Sequence, residues 1–542
     1  MAEEDTIKNR KDKLKNKISN WLKDPYNKLF LALIILALII RILIFLKTSN
    51  QPIWWDTADY LSAAKNWAGI NPNFLDTWYY RRGFFWPFFA SLFYLTGLGE
   101  IGLRFSVVLI STGVVAFTYL LISKMFNKRL ALLTSFCVAF SWVVLFFSGR
   151  PMTELPSTFF LLGGLYFFWN GFVLNESKVN YYLFGIFAAL AALTRMQYLM
   201  FAIPLFLFMI IKDKHKVFTN KHLWTAVLIV AIIFIPQFIM HANHFGNPFL
   251  DLANYYLGVK GISKTGEVGG LALKFSDLFV YFFNLPYILD GVQKGYSSLF
   301  VISPMYILFL IGFVLLFSDL FLGFDKIFKN PDIQKRFFVL SWIVITFLLL
   351  GYIAPHLEQR YAMQTLPFLF LIAVYPINSL FDILKNKTTL QNKTISFGII
   401  ILLVALMMPN MIWANNLIEI KKTSYLEVKL AGEWIKVHSN PEDIIISASR
   451  PQTEYYSERT TYPFNLAIRR DVTRKNRTEF EEFVKTQHPR YMTVSIFEQH
   501  PDWINDYIEK SNNTWMPVMG YQQNNQPVLI IYENNYYKTS LN

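Results

Sequence analysis

The sequence predicts a polytopic α-helical membrane bundle carrying a small polar α/β unit at its C-terminal end. Three observations point there. Of the 542 residues 54% are hydrophobic and 18% aromatic, yet only 16% are charged, against about 25% in a soluble domain. The apolar residues gather in runs of about 20, the length that matches a bilayer's hydrocarbon. The short polar segments between the runs alternate between basic and mixed, as they do when a chain weaves through a membrane. Backbone groups in lipid must be satisfied within each run, so the runs are read as helices.

Residues 1–28 form a basic arm, too long and too charged for a cleaved signal peptide, and are expected in the cytoplasm. About eleven spans follow, at 29–46, 101–123, 130–147, 155–174, 181–194, 198–211, 223–240, 299–317, 337–354, 362–381 and 395–413. The pair 181–194 and 198–211 is short and suits a hairpin packed inside the bundle. With the arm inside, the internal loops are 124–129, 175–180, 212–222, 318–336 and 382–394. Each carries lysine or arginine, among them Lys124, Lys128, Arg129, Lys178, Lys212, Lys335, Arg336 and Lys393, as the positive-inside rule requires. The odd count then puts the C-terminus outside.

Within the membrane domain, 29–413, the external loops are 47–100, 148–154, 241–298 and 355–361. The first contains the apolar stretch Phe84–Leu95, too short to span and suited to a helix lying in the interface. The third carries Gly258, Gly261, Gly266, Gly269 and Gly270, so its middle is expected to be mobile. Residues 414–542 read as an extracytoplasmic α/β domain. There the strand-like runs Ile444–Ser449, Tyr491–Phe497 and Val528–Tyr532 alternate with helix-like segments 425–438, 477–487 and 501–511.

Several functions are excluded. The net charge is +14, but the lysines crowd into the N-terminal arm and the short loops, which argues against nucleic acid as a partner. Cys137 is the single cysteine, so no intramolecular disulfide forms. The sequence has no Gly-rich phosphate loop, which argues against a nucleotide-driven pump.

Three external clusters carry chemistry. Trp54-Trp55-Asp56-Thr57-Ala58-Asp59-Tyr60 sets two carboxylates three apart, on one helix face near the membrane. A carboxylate so placed can take the proton of an attacking hydroxyl. The competing reading makes Asp56 a helix N-cap with Asp59 its reciprocal partner. Glu154 ends the short loop Ser148–Glu154 at the mouth of a span, where a helix dipole accounts for an acid and so does orientation of a substrate or metal. Ala354-Pro355-His356-Leu357-Glu358-Gln359-Arg360-Tyr361 packs four polar groups into one turn, and Arg360 offers a planar fork for phosphate oxygens. Arg41, Arg104 and Arg195 fall near external span ends, where ionisable groups suggest function. Snorkelling to lipid headgroups is the alternative, foremost for Arg41 and Arg104.

In this order, Asp-Thr-Ala-Asp-Tyr, Arg-Gly-Phe-Phe-Trp-Pro, Arg-Pro-Met-Thr-Glu-Leu-Pro, Ala-Ala-Leu-Thr-Arg and His-Leu-Glu-Gln-Arg-Tyr-x3-Thr-Leu-Pro resemble the GT-C glycosyltransferases. The resemblance covers about 29–381 and is nearest to the protein mannosyltransferase and aminoarabinose transferase branch, whose tails the polar C-terminal domain also resembles. It implies a GT-C-like bundle and a catalytic carboxylate at Asp56. The branch often has Asp-Glu at this point; here Thr57 follows, leaving Asp59 or Glu154 to supply a partner acid. The Trp-Trp-Asp string also resembles the oligosaccharyltransferase signature, which belongs to a C-terminal domain and continues differently.

The implied activity is transfer of a sugar, mannose by resemblance, from a polyprenyl- or dolichyl-phosphate donor to an acceptor hydroxyl outside the cytoplasm, with inversion. Protein, glycolipid and lipid-linked glycan are the acceptor classes. Arg360 and His356 are the first candidates for the donor phosphate, with Arg195 and Arg82 next, since preorganised cations stabilise the charge that grows on the leaving group. Glu358, Tyr361 and Tyr60 are expected to contact substrate. No cofactor is required. Carboxylates could hold a divalent metal, but no His/Cys ligand spacing supports one. The rival reading, a carrier-lipid flippase or polytopic transporter, fits the spans and external arginines. It leaves the carboxylates of the first loop and the external domain unexplained, because transporters set their polar residues at mid-membrane.

Overall fold

The structure, a computed structural model, describes residues 16, 19–71, 82–249, 275–291, 303–353, 358–388, 391–467, 474–511 and 514–539. His356 and the glycine-rich stretch 258–270 lie outside the described residues. The protein is a multi-pass membrane protein. Among the described residues eight helical stretches are long and apolar enough to cross a bilayer: Pro25–Thr48, Gly99–Met125, Met196–Thr219, Lys221–Asn243, Pro304–Leu322, Pro331–Ile353, Gln359–Lys387 and Asn392–His438. The remaining three expected spans are shorter or interrupted helices inside the same bundle.

The elements that build the site are α1 (Pro25–Thr48), α2 (Trp55–Trp67), α3 (Phe85–Leu95), α4 (Gly99–Met125), α5 (Lys128–Phe140), α6 (Trp142–Phe147), α7 (Glu154–Phe168) and α8 (Val179–Thr194). They are followed by α9 (Ala202–Asp213), α10 (Lys221–Phe245), α11 (Pro304–Leu322), α12 (Pro331–Ile353), α13 (Leu366–Lys387) and α14 (Asn392–Lys421). Local chemistry starts these helices. Asp24 caps α1 by accepting from the Tyr26 amide, and Asn220 caps α10 through the amides of His222 and Leu223.

The run 130–147, expected as one continuous span, is broken. Ser141 takes an extended ψ of 131°, and the chain restarts as α6. Buried polar side chains meet the backbone groups beside the break. Asn410 Oδ1 accepts from the Trp142 amide at 3.0 Å, and Arg41 Nη2 donates to the Ala139 carbonyl at 3.3 Å. A helix break at membrane depth persists only where such partners exist.

Arg41 also donates through Nε to Ser111 Oγ at 2.7 Å. Arg104 clamps the carbonyls of Thr48, Gln51 and Gly149 and pairs with Glu100. Both arginines are fully buried. The snorkelling reading is thereby corrected: Arg104 fastens the first and second loops to the bundle, and Arg41 ties α1 to α4 and α5, because carbonyls and a hydroxyl inside the protein offer partners that a lipid surface does not.

The two ends of the bundle differ. At one end Lys128 meets Asp24, Lys124 meets Glu176 and Arg129 meets Asp382, gathering the segments read as internal. The other end collects the first and second loops, the α8–α9 turn and the segment preceding α13.

The position 414 falls within α14, which runs on to Lys421; the polar unit starts beyond it with α15 (Leu426–His438). Then come β1 (Ile444–Ser447), α16 (Arg450–Ser457), β2 (Thr460–Tyr462), α17 (Arg477–Gln487), β3 (Tyr491–Ser495), α18 (Ile504–Lys510), β4 (Trp515–Gln523) and β5 (Gln526–Asn534). The sheet order is β2-β1-β3-β5-β4, parallel over its first three strands and antiparallel over the last three. Neighbours Ile445 and Ile446, like Tyr491 and Met492, enter two different cores, one with Val428 and Ile435 of α15 and one with Phe480 and Ile504. The strand's two-residue period thus covers both faces of the sheet with helices.

Candidate active site

Six separate segments deliver charged side chains to one place. The first is α2, whose N-cap is Trp54 with no capping side chain. Asp56 lies inside the first turn, so the N-cap reading is corrected: Trp54 holds the N-cap position, and the Asp56 carboxylate meets Arg82 and Arg360. Arg82 Nη2 donates to Asp56 Oδ1 at 3.1 Å and Nη1 to Asp59 Oδ2 at 3.0 Å. Helical spacing of three brings both acids to one guanidinium fork, a geometry lysine could not serve. The same guanidinium stands 5.0 Å from the ring centre of Tyr60, whose phenol burial pushes up in pKa, against the pull of Arg82.

Gly83 explains how Arg82 gets there. A Cβ at this position would sit 1.7 Å from the Leu193 carbonyl oxygen, so the backbone passes hard against the end of α8. Gln237 of α10 pins the passage, accepting from the Phe84 amide at 2.9 Å and donating to the Arg82 carbonyl at 3.3 Å. The Arg-Gly-Phe-Phe-Trp-Pro stretch thus works by close approach at its glycine.

Glu154 opens α7 and is nearly sealed from solvent. Its Oε1 accepts from Arg195 Nη1 at 2.7 Å. Arg195 ends α8 in an extended conformation, donates to Gln197 through Nε, and stacks 4.6 Å from the ring centre of Tyr361. Ion pairing, beyond the helix dipole, therefore compensates the buried Glu154 charge. Glu154 Oε2 has no hydrogen-bond partner among the described residues.

Arg360 sits in the tight turn Gln359–Thr365 that leads into α13. It lies between three carboxylates and bonds tightly to none. Nη2 is 3.4 Å from Asp56 Oδ2, Nη1 is 3.5 Å from Glu154 Oε1, and Nε is 3.4 Å from Glu358 Oε2. Good charge-assisted bonds are about 2.7–2.9 Å. Nε makes no hydrogen bond among the described residues.

Side-chain exposure separates the three acids. Asp56 is 48% exposed, Asp59 13% and Glu154 3%. Asp56 is thus the most open of the three, and each of them lies between two arginines: Asp56 between Arg82 and Arg360, Asp59 between Arg82 and Arg450, and Glu154 between Arg195 and Arg360. One member of the cluster carried no signal in the sequence. Arg450, first residue of α16, places Nη2 2.9 Å from Asp59 Oδ1 and Nη1 2.9 Å from Glu454 Oε2. Among the described residues no three His, Cys, Asp or Glu side chains group to hold a metal ion.

Residues 82–240 match the sequence profile described as dolichyl-phosphate-mannose-protein mannosyltransferase. The chain superposes on ArnT from Cupriavidus metallidurans in the apo state with a TM-score of 0.58 at 12% identity, covering 95% of this chain and 98% of that one. The chain has an ArnT-like fold. ArnT bound to undecaprenyl phosphate gives a TM-score of 0.55 at 12% identity, over 92% of this chain and 97% of the other. The oligosaccharyltransferase AglB from Archaeoglobus fulgidus, in complex with an inhibitory peptide and a dolichol-phosphate, gives 0.55 at 14% identity, over 95% and 75%. No curated protein matches the sequence. The profile begins at Arg82 and takes in Glu154 and Arg195, while Asp56, Arg360 and Arg450 lie beyond it.

Proposed function

We propose that the protein is a membrane glycosyltransferase that moves a sugar from a polyprenyl-phosphate carrier to an acceptor hydroxyl on the extracytoplasmic side. The observation that carries this reading is the pairing of a half-exposed carboxylate, Asp56, with a guanidinium, Arg360, whose present bonds are all long. Arg360 has donors to give to a phosphate at little loss, and Asp56 has an open face for a hydroxyl. The acceptor oxygen attacks the anomeric carbon, the bond from that carbon to the carrier phosphate breaks, and the pair of electrons leaves with the phosphate. Asp56 takes the acceptor's proton, and attack opposite the leaving group inverts the anomeric centre. Arg360, with Arg195 and Arg82 behind it, offsets the charge appearing on the phosphate. Glu358, Tyr361 and Tyr60 line the same end and are assigned to substrate contact.

The similar structures suggest the carrier class: undecaprenyl phosphate is bound to ArnT and dolichol-phosphate to AglB. The matching profile makes mannose the first sugar to try. No cofactor enters this reading, and the charges cluster at one end of the bundle, whereas a transporter needs them at mid-membrane. The test is incubation of the purified full-length protein in detergent with polyprenyl-phosphate mannose, and then other polyprenyl-phosphate sugars, plus acceptor from the native membrane. Release of polyprenyl phosphate with sugar appearing on acceptor is expected. Carrier movement across vesicles without sugar transfer would favour the flippase instead.

A further inference from the structure

The C-terminal unit does more than dock on the bundle; α16 is wedged against α2, and all eight of its residues are buried. Its side chains take both backbone groups of Ile53, two residues before α2 begins. The Ile53 amide donates to Tyr456 Oη at 2.9 Å, and Gln452 Nε2 donates to the Ile53 carbonyl at 3.0 Å. Lys65, near the other end of α2, donates to the Tyr455 carbonyl at 2.9 Å and to Glu458 Oε1 at 2.8 Å. Tyr455 Oη donates to Glu100 at 2.7 Å. The helix bearing Asp56 and Asp59 is therefore gripped at both ends by α16.

The same short helix contributes a charge. From Glu454 the contacts run to Arg450, to Asp59, to Arg82, to Asp56, to Arg360, to Glu154 and to Arg195. Signs alternate at every step. The contacts at the Arg450 end are 2.9–3.1 Å, and they lengthen to 3.4–3.5 Å only around Arg360. In such a chain the division of Arg82 between its two acids depends on how well Asp59 is satisfied from its other side. Arg450 satisfies it. Without Arg450, Asp59 would draw Arg82 away from Asp56, Asp56 would close on Arg360, and Arg360 would have fewer donors for a phosphate.

We propose that Arg450 is a positioning residue: the C-terminal unit, by holding Asp59, keeps Arg82 on Asp56 and so keeps Arg360 available to the carrier phosphate. This rests on the functional reading above. Arg450 touches neither phosphate nor acceptor; it acts through Asp59 and Arg82.

The probe is undecaprenyl phosphate, titrated onto the full-length protein in detergent, with thermal unfolding recorded for each variant. Arg450→Gln should weaken binding about 3–10-fold, an effect of the size seen when residues in one ion network are uncoupled. Arg450→Lys should fall between it and wild type, because one ammonium cannot serve Glu454 and Asp59 together. The decisive variant is Arg450→Gln combined with Asp59→Asn. Removing the acid that pulls Arg82 away should restore binding to within about twofold of wild type, which a purely structural role would not do. Glu458→Gln, which cuts a docking contact outside the chain of charges, should lower the unfolding temperature and leave binding alone.

Folded Arg450→Gln binding as wild type overturns the proposal, and so does a double variant that binds no better than Arg450→Gln alone. If Arg450→Gln does not fold, wild-type binding by Arg450→Lys overturns it equally. Arg360→Ala keeps the two readings apart. Normal binding by Arg360→Ala removes the phosphate assignment itself, while lost binding there with normal binding in Arg450→Gln removes only the role of Arg450.

Discussion

The Glu154 carboxylate accepts from Arg195 at 2.7 Å while Arg360 stands 3.5 Å from the same oxygen. Two guanidiniums thus share one buried acid unequally, the nearer fixed and the farther loose. Opposite charges inside a protein repay their dehydration only in good geometry, so Arg195 is the structural partner and Arg360 the one with bonding capacity to spare. Arg360 has the same long contact to Asp56 on its other side. A phosphate entering between these groups would exchange weak contacts for strong ones without exposing a buried charge.

Asp56→Asn should retain the fold and lose transfer. Trp54, not Asp56, caps α2, so the helix start does not depend on the carboxylate, and Asn keeps the polar volume. Asn cannot take the acceptor's proton, and loss of a general base lowers rates by about 10²–10⁴. Transfer rate at saturating donor and thermal unfolding of the purified variant are the measurements. Normal turnover would sink the assignment.

Arg360→Ala should weaken donor use by about 1.5–3 kcal/mol, the worth of hydrogen bonds to a charged group. Arg360→Lys should recover part, since the charge stays and the fork is lost. The donor KM and the affinity for undecaprenyl phosphate should move together. If the alanine variant uses donor normally, the phosphate role passes to Arg195 or Arg82.

Sidedness has its own check. Protease added to intact spheroplasts should remove the chain beyond 420 and spare 318–336, because the basic segments gather at the end opposite the site and basic loops stay inside. A protected C-terminal unit would turn the molecule over and move the reaction to the cytoplasm.

Much of this arrangement was legible in the sequence, and the part that was not has physical causes. β1, β3 and β5 and helices α15, α17 and α18 were readable because strand and helix periods are local patterns. The pairing of Asp59 with Arg450 joins residues 391 apart, and no local pattern encodes it. α16 is polar in sequence, Arg-Pro-Gln-Thr-Glu-Tyr-Tyr-Ser, and yet buried, because its polar groups are satisfied by a distant part of the chain. The break at Ser141 was hidden inside unbroken hydrophobicity; only Asn410 and Arg41, remote in sequence, make it tenable. Asp56 looked like a cap because aspartate commonly is one, and the helix starting two residues earlier, with Trp54 at the N-cap position, overturned that reading.

Docking of the C-terminal unit should loosen in acid. Glu458 faces Lys65 at 2.8 Å and Lys436 at 2.6 Å. Burial pushes the Glu458 carboxyl up, but the two lysines outweigh it and hold it below the usual carboxylate range. Lys65, for its part, is held below the ordinary lysine value because burial outweighs Glu458, so the pair repays its dehydration incompletely. A carboxylate depressed on folding adds stability that is fully present above its unfolded value, about 4.3 for glutamate, and lost as pH falls through the folded one. The unfolding temperature should therefore fall more steeply below about pH 4.5 in wild type than in Glu458→Gln. Equal slopes would assign the acid response to other carboxylates.

Gly83→Ala should damage the site from outside it. The new Cβ would overlap the Leu193 carbonyl oxygen, at 1.7 Å, and a backbone oxygen cannot swing aside as a side chain can. The 82–84 segment must back away from α8, straining its bonds to Gln237 and drawing Arg82 off Asp56 and Asp59. Overpacking of this kind costs about 1–3 kcal/mol, and turnover should drop further than stability because the fork no longer spans both acids. Gly398→Ala is the matched control: that glycine lies within α14 with nothing inside 4 Å of an added Cβ, so both unfolding temperature and turnover should stay at wild-type values. If Gly83→Ala behaved the same way, the close approach at the end of α8 would not be what sets the position of Arg82.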